Sequence, residues 1–238
     1  MTAVAVRTRR TEERLRALAE EGARLVGDGT ADEIVAWAAR TFPRRIAVAS
    51  SMETGVLCHL VSQHVPGVDV LFLDTGYHFA ETMQARAGVE DHLDVNVVDV
   101  RARLSVAEQD ATYGPQLHDR DPEACCRMRK VEPLREALTA YECWMSGVRR
   151  DESADRADTP AVTFDEKNGI VKVNPLVGWS QDTMTGYGLR HRVPVNLLLS
   201  PMYPSIGCEP CTSPVAPGDD PRSGRWAGRG KTECGIHR

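Results

Sequence analysis

Five of the seven cysteines stand where sulfur can do chemistry: the adjacent pair Cys125-Cys126, the pair Cys208 and Cys211 separated by Glu-Pro, and Cys234 in the stretch RGKTECGIHR. A two-residue gap lets both thiolates of a CxxC reach one metal centre. The adjacent pair opens a helical stretch, CCRMRKVEPLREAL (125–138), where backbone N–H groups and Arg127, Arg129 and Lys130 offset thiolate charge. Four such thiolates suit either tetrahedral zinc or a four-iron cluster, and spacing alone does not choose. Cys234 is different. Flanked by Lys231 and His237, it has the setting of a thiolate with lowered pKa, expected to be exposed and able to attack an electrophile. Cys58 and Cys143 lie in the apolar runs VLCHLV and YECWMSGV and read as small core residues.

The 238 residues, 42% hydrophobic and 26% charged, are enough to bury the core of one large domain. A net charge of −5 argues against a general nucleic-acid coat, yet basic residues cluster locally at Arg44-Arg45, Arg127/Arg129/Lys130, Arg149-Arg150 and Arg222/Arg225/Arg229/Lys231. No run reaches the roughly 18 apolar residues of a membrane span. The N-terminal stretch lacks the apolar core and cleavage site of a signal peptide, so a cytoplasmic location without disulfides is expected.

The elements that must position the cysteines follow from periodicity. Residues 11–27 and 31–41 carry helical patterns. The runs RIAVAS (45–50), VDVLFLDTG (68–76) and LDVNVVDV (93–100) alternate with helical stretches over 53–63 and 78–87. This is the signature of βαβ units and a parallel twisted sheet with helices on both faces. YECWMSGV supplies a fourth buried strand ending in Gly147-Val148-Arg149-Arg150, and Asn168-Gly169 between β-rich arms predicts a hairpin. A loop is expected over 112–124 and a helix over 180–191, weakened by Gly186 and Gly188. From Val193 onward the prolines forbid long regular structure, so the C-terminal third is expected to be a loop-rich layer with a mobile tail.

In such sheets ligands sit at the C-terminal strand ends, where helix N-termini favour anions. Two of those ends here read SSMET, with Ser50 and Ser51, and LDTG, with Asp74, Thr75 and Gly76. Hydroxyl-rich turns leading into helices suit a phosphate or ribose. With Lys130, Arg149, Arg222 and Arg225 on the rim, the ligand carries a strongly anionic portion, and the arginine fork suits phosphate or sulfate oxyanions. Sulfate sulfur is electrophilic once its oxygens are neutralised and its leaving group is a phosphate.

The combination of Cys125-Cys126, GVRRDES (147–153), NPL..W (174–179), HxxPxN (191–196), YPSIGCEPCT (203–212), GRW (224–226) and KTECGIH (231–237) resembles the assimilatory sulfonucleotide reductases, specifically the iron–sulfur adenylylsulfate reductases of bacteria and plants. The resemblance runs from about residue 45 to the end. It implies an adenine nucleotide alpha-hydrolase-like fold and reduction of adenosine 5′-phosphosulfate to sulfite and AMP. It implies further that Cys234 attacks the sulfate sulfur and that a thioredoxin-type dithiol releases sulfite. Cys125, Cys126, Cys208 and Cys211 would hold a [4Fe–4S] cluster that supports the anion site without cycling electrons. Lys130, Arg222 and Arg225 match the basic positions around the phosphosulfate, with Arg156 and His237 as further candidates. Ser50, Ser51, Asp74, Thr75, Gly76 and Gly147 fall where the nucleotide lies. Reductases of the 3′-phosphorylated nucleotide mostly lack the two thiol pairs, which favours the unphosphorylated substrate. The expected organisation is N-terminal helices in 1–42, the nucleotide and iron–sulfur unit in 43–211 and a catalytic tail in 212–238, in a homo-oligomer.

Overall fold

The three apolar runs become parallel strands β1 (Ile46–Ser50), β2 (Val68–Asp74) and β3 (Val95–Arg101), and the fourth becomes β4 (Cys143–Ser146). They belong to a computed structural model that describes residues 9–229, 231 and 233–236. The Asn168-Gly169 turn joins β5 (Val162–Asp165) to β6 (Ile170–Val173), with Gly169 in the left-handed region at φ 64°. The sheet order is β3-β2-β1-β4-β6-β5, and only β5 runs antiparallel to its neighbour. Central strands of such a sheet are covered on both faces and need apolar residues at successive positions. Ala47 and Val48 of β1 and Cys143, Trp144 and Met145 of β4 are accordingly all at 0% exposure.

Helices α1 (Glu12–Val26) and α2 (Ala31–Thr41) add Leu15, Ile34 and Val35 to the same core. Thr30 and Glu33 close a reciprocal capping box at the start of α2, which satisfies two otherwise orphaned N–H groups. Between the strands lie α3 (Val56–Ser62), α4 (Ala80–His92) and α5 (Val106–Tyr113). Later in the chain α9 (Gln181–His191) runs unbroken through Gly186 and Gly188. Ser180 caps it by accepting from Thr183 N–H, and buried Met184 anchors it, which outweighs a propensity cost of about 1 kcal/mol per glycine.

Residues 112–124 differ from the loop expected there. After α5 come α6 (Leu117–Arg120) and α7 (Pro122–Cys126), the latter started by Pro122 and capped by Asp121, which accepts from Ala124 N–H at 2.9 Å. The helix carrying Cys125 and Cys126 therefore begins before them. It then widens into a π-turn over Arg127–Val131 before α8 (Glu132–Leu138). Pro133 explains the widening: it has no N–H to give the carbonyl four residues earlier, and its ring crowds that carbonyl.

Among the described residues beyond α9 the regular structure is limited to isolated bridges, Thr54 with Val195, Ser200 with Tyr203 and Thr212 with Arg225, and a short 3-10 turn over Glu209–Cys211. The described part of the tail lies across the C-terminal edge of the sheet. Trp226 N–H donates to the Cys211 carbonyl at 3.0 Å, and its ring is 2% exposed. Among the described residues no helix is long and apolar enough to cross a membrane.

Candidate active site

The strand order reverses between β1 and β4, and it is there, at their C-terminal ends, that an open-sheet protein leaves a crevice for a ligand. A cavity of about 200 Å³ occupies it. Ser50 and Ser51 enter from β1, Gly147 and Arg149 from the end of β4, and Lys130 from the π-turn. Arg156, Arg222, Arg225 and Cys234 complete the wall from the opposite side. The β1 loop turns without a glycine at its tightest point: Met52 takes φ 59° with its side chain fully buried, and Ser50 Oγ accepts from its N–H at 3.2 Å.

Three candidates lie elsewhere. Asp74 pairs with Arg101 at 3.1 Å and accepts from Gly76 N–H. Thr75 is fully buried with its hydroxyl 3.4 Å from Cys208 Sγ, and Gly76 makes a left-handed turn at φ 72° against Arg129. The β2 end thus faces the thiol groups, while His78 from the same loop lines the cavity. His237 lies outside the described residues.

The arginines are held in fixed orientations. Arg149 donates to Asp151 at 3.0 Å and to Gln181 at 2.8 Å. Arg156 makes a two-toothed pair with Glu233, at 2.6 and 2.8 Å, and reaches Glu152. Arg222 and Arg225 both donate to Ser205 Oγ, at 3.3 and 3.1 Å, while the Nε atoms of both are buried without a hydrogen-bond partner among the described residues. Burial, then the charges of Arg156 and Arg225, push the Arg222 guanidinium below its ordinary pKa. Crowded cations with unused donors call for an anion.

The acids of the cavity, Glu53, Glu152 and Glu233, are not legible as site residues in the sequence. Glu53 is raised above its ordinary value by burial and accepts from Ile206 N–H at 2.9 Å. For Glu233 the only sequence signal is its place beside Cys234.

Cys234 corrects one expectation and supports another. Its surroundings are electropositive, yet it is only 8% exposed, because the tail folds inward over the crevice. The Cys126 thiol donates to it and lowers its pKa, and Lys130, the N–H of Ile236 and Lys231 act the same way against burial. Burial alone would pull the Lys130 ammonium down, but Cys208, Cys234 and Cys126 outweigh it and hold the charge.

Cys125, Cys126, Cys208 and Cys211 line a second, smaller void that shares Lys130, Arg225 and Trp226 with the first. Burial and then the neighbouring Cys208 and Cys211 raise the Cys125 thiol to about 11. Burial and then Cys208 raise the Cys211 thiol as well, and thiols whose ionisation is disfavoured in this way need a compensating positive centre to become ligands. The shell fits one: Arg229 Nη1 donates to Cys211 Sγ at 3.3 Å, and the buried Trp226 Nε1 has no hydrogen-bond partner among the described residues. Among those residues no three His, Cys, Asp or Glu side chains are grouped tightly enough to hold a single ion. Cys58 and Cys143 are fully buried in the core.

Residues 45–214 match the phosphoadenosine phosphosulfate reductase domain family. The chain is 56% identical over 233 residues to an adenosine 5′-phosphosulfate reductase of Streptomyces coelicolor, covering 98% of this chain and 99% of that one. It is 50% identical over 237 residues to the protein of that name in Rhodococcus opacus, covering 95% and 96%. Its fold is similar to that of a phosphoadenylyl-sulfate reductase from Candida auris in a phosphate complex, at a TM-score of 0.67, 24% identity and coverage of 83% and 96%. A yeast FAD synthetase in complex with FAD matches more distantly, at a TM-score of 0.54, 12% identity and coverage of 85% and 75%. Sequence and fold agree, and the chain belongs to the phosphoadenosine phosphosulfate reductase family.

Proposed function

We propose that the protein reduces adenosine 5′-phosphosulfate to sulfite and AMP through a sulfonated Cys234, with a thioredoxin-type dithiol as the electron donor. The observation that carries this reading is the position of Cys234: a nucleophile facing Lys130, Arg156, Arg222 and Arg225 in a cavity at the switch point of a nucleotide-type sheet. The relatives that share about half of its residues over nearly full length bear the name of that activity.

The substrate's adenosine lies toward Ser50, Ser51 and Gly147 at the strand ends, and its phosphosulfate toward the basic wall. The unused Nε donors of Arg222 and Arg225, with Lys130, take the oxygens on which charge builds in the transition state. The Cys234 thiolate attacks sulfur; an S–S bond forms as the S–O bond to the phosphate breaks, and AMP leaves with the electron pair. A thiolate of the dithiol then attacks Cys234 Sγ, sulfite departs with the electrons of the S–S bond, and the second thiol resolves the mixed disulfide. The two electrons come from the dithiol.

Cys125, Cys126, Cys208 and Cys211 would hold a [4Fe–4S] cluster. When bound, it supplies a fixed electrostatic centre beside Lys130 and stabilises the fold around its ligands. The chain's own contribution is to seat the thiols, shield them with Trp226 and Arg229, and hold Lys130 between the two voids.

Mass spectrometry after mixing the protein with adenosine 5′-phosphosulfate alone tests the proposal. A gain of one SO₃ on the peptide containing Cys234, lost on adding reduced thioredoxin, is expected. Label on another residue, or none, rejects the reading, and faster labelling by the 3′-phosphorylated nucleotide reassigns the substrate.

A further inference from the structure

The residue next to the nucleophile is bound to the site's own arginines. Glu233 is 5% exposed, its carboxylate receives two hydrogen bonds from Arg156, at 2.6 and 2.8 Å, and it lies 3.3 Å from Arg222. A two-toothed arginine–carboxylate pair fixes direction as well as distance.

The pair also forms a wall. Arg156, Glu233 and Val148 line both the active cavity and a separate chamber of about 510 Å³ beside β5 and β6. Glu233 therefore sits between the crevice and that chamber, one residue before Cys234. The Nε atoms of Arg222 and Arg225 have no hydrogen-bond partner among the described residues, so seating the tail does not use them up.

We propose that Glu233 is a positioning residue: by docking on Arg156 and Arg222 it sets the depth and direction of Cys234 for attack, and it remains docked when the nucleotide binds. Arg156 is then primarily an anchor for the tail, and Lys130, Arg222 and Arg225 carry the substrate's charge. This rests on the sulfonation chemistry proposed above.

The test uses Glu233→Gln, Glu233→Asp and Arg156→Lys in the full-length protein, with three readouts. These are the rate of Cys234 sulfonation by adenosine 5′-phosphosulfate in a single turnover, the affinity for AMP, and the rate of Cys234 alkylation by uncharged iodoacetamide, followed on the C-terminal tryptic peptide. Misplacing a reacting group by an ångström costs on the order of a hundredfold, so Glu233→Gln is expected to slow sulfonation by about that factor while AMP affinity changes less than about threefold. Alkylation is expected to accelerate about tenfold as the tail leaves its seat. Glu233→Asp should recover part of both rates, and Arg156→Lys, which keeps the charge and loses the fork, should shift them as Glu233→Gln does. Unchanged alkylation, or faster sulfonation with tighter AMP binding in Glu233→Gln, overturns the proposal, the latter by making Glu233 a competitor of the substrate. If the wild-type protein is not sulfonated at all, the substrate reading fails, while alkylation still decides the role of Glu233.

Discussion

The floor and the lid of the active cavity are built from different forces. The floor is β1 between β2 and β4, with Ala47 and Val48 at 0% exposure, held by hydrophobic burial and by main-chain hydrogen bonds to strands on both sides. The lid has apolar anchors in Val215 and Trp226. Beyond them it is strapped down by charge: Arg229 to Asp119, Lys231 to Glu123 at 2.7 Å, and Glu233 to Arg156. Asp119 and Glu123 have side chains 43% and 62% exposed, and pairs with an exposed partner are worth roughly 0–1 kcal/mol. Arg156 and Glu233 are 11% and 7% exposed, and removing one partner of a buried pair costs about 3–5 kcal/mol. A cavity with an apolar floor and a lid held largely by ion pairs suits the proposed chemistry, in which one thiol meets a small substrate and then an external reductant.

The largest test of this contrast is at the lid's tip. Cys234→Ser is expected to lower sulfite release by at least about a thousandfold, with AMP binding retained because the floor is intact; turnover by the serine protein would remove the lid from the chemistry. Cys208→Ser, at the seam between lid and sheet, should lose iron and lower the melting temperature together. Full iron content in that variant would exclude Cys208 as a ligand. Arg225→Ala is expected to reduce kcat/KM by about a hundredfold, the effect of removing one preorganised donor, and an unchanged value would move the anion elsewhere. Val48→Ala probes the floor alone: denaturant unfolding should report a loss of about 2 kcal/mol, with Cys234 alkylation unaltered.

The smallest effect is on acidification. Arg156 and Arg222 hold the Glu233 carboxyl below its ordinary 4.5 in spite of its burial. A depressed carboxylate contributes fully above its ordinary value, and the contribution is lost as pH falls through the lowered one. The lid should therefore stay seated above that ordinary value and release only at pH below it, which Trp226 fluorescence can follow. Release on going from pH 8 to 6 would require another group to control docking.

The floor was legible because each strand declares itself over a handful of neighbouring residues: RIAVAS, VDVLFLD and the hairpin at Asn168-Gly169 formed where periodicity and turn chemistry put them. The short helices α6 and α7 were missed. The start of α7 depends on one proline and one aspartate cap, a weak signal in a stretch otherwise polar. Asp74, Thr75 and Gly76 occupied a strand end of the right chemistry, yet β2 is one strand removed from the switch point, and its loop turns to the thiols. Cys234 was identified by its neighbours, while its burial depends on Trp226 and on partners more than 70 residues away in sequence.

The amino-acid sequence by itself determined the order of the strands and of most helices, the four candidate ligand thiols and the candidate reactive cysteine, because these follow from local periodicity, spacing and residue chemistry. Only the tertiary structure decided which loops share a cavity, that Glu53, Glu152 and Glu233 stand among the arginines, and that Cys234 is buried rather than exposed. Those outcomes depend on strand order and on ion pairs between distant segments, and neither is encoded within a window of neighbouring residues.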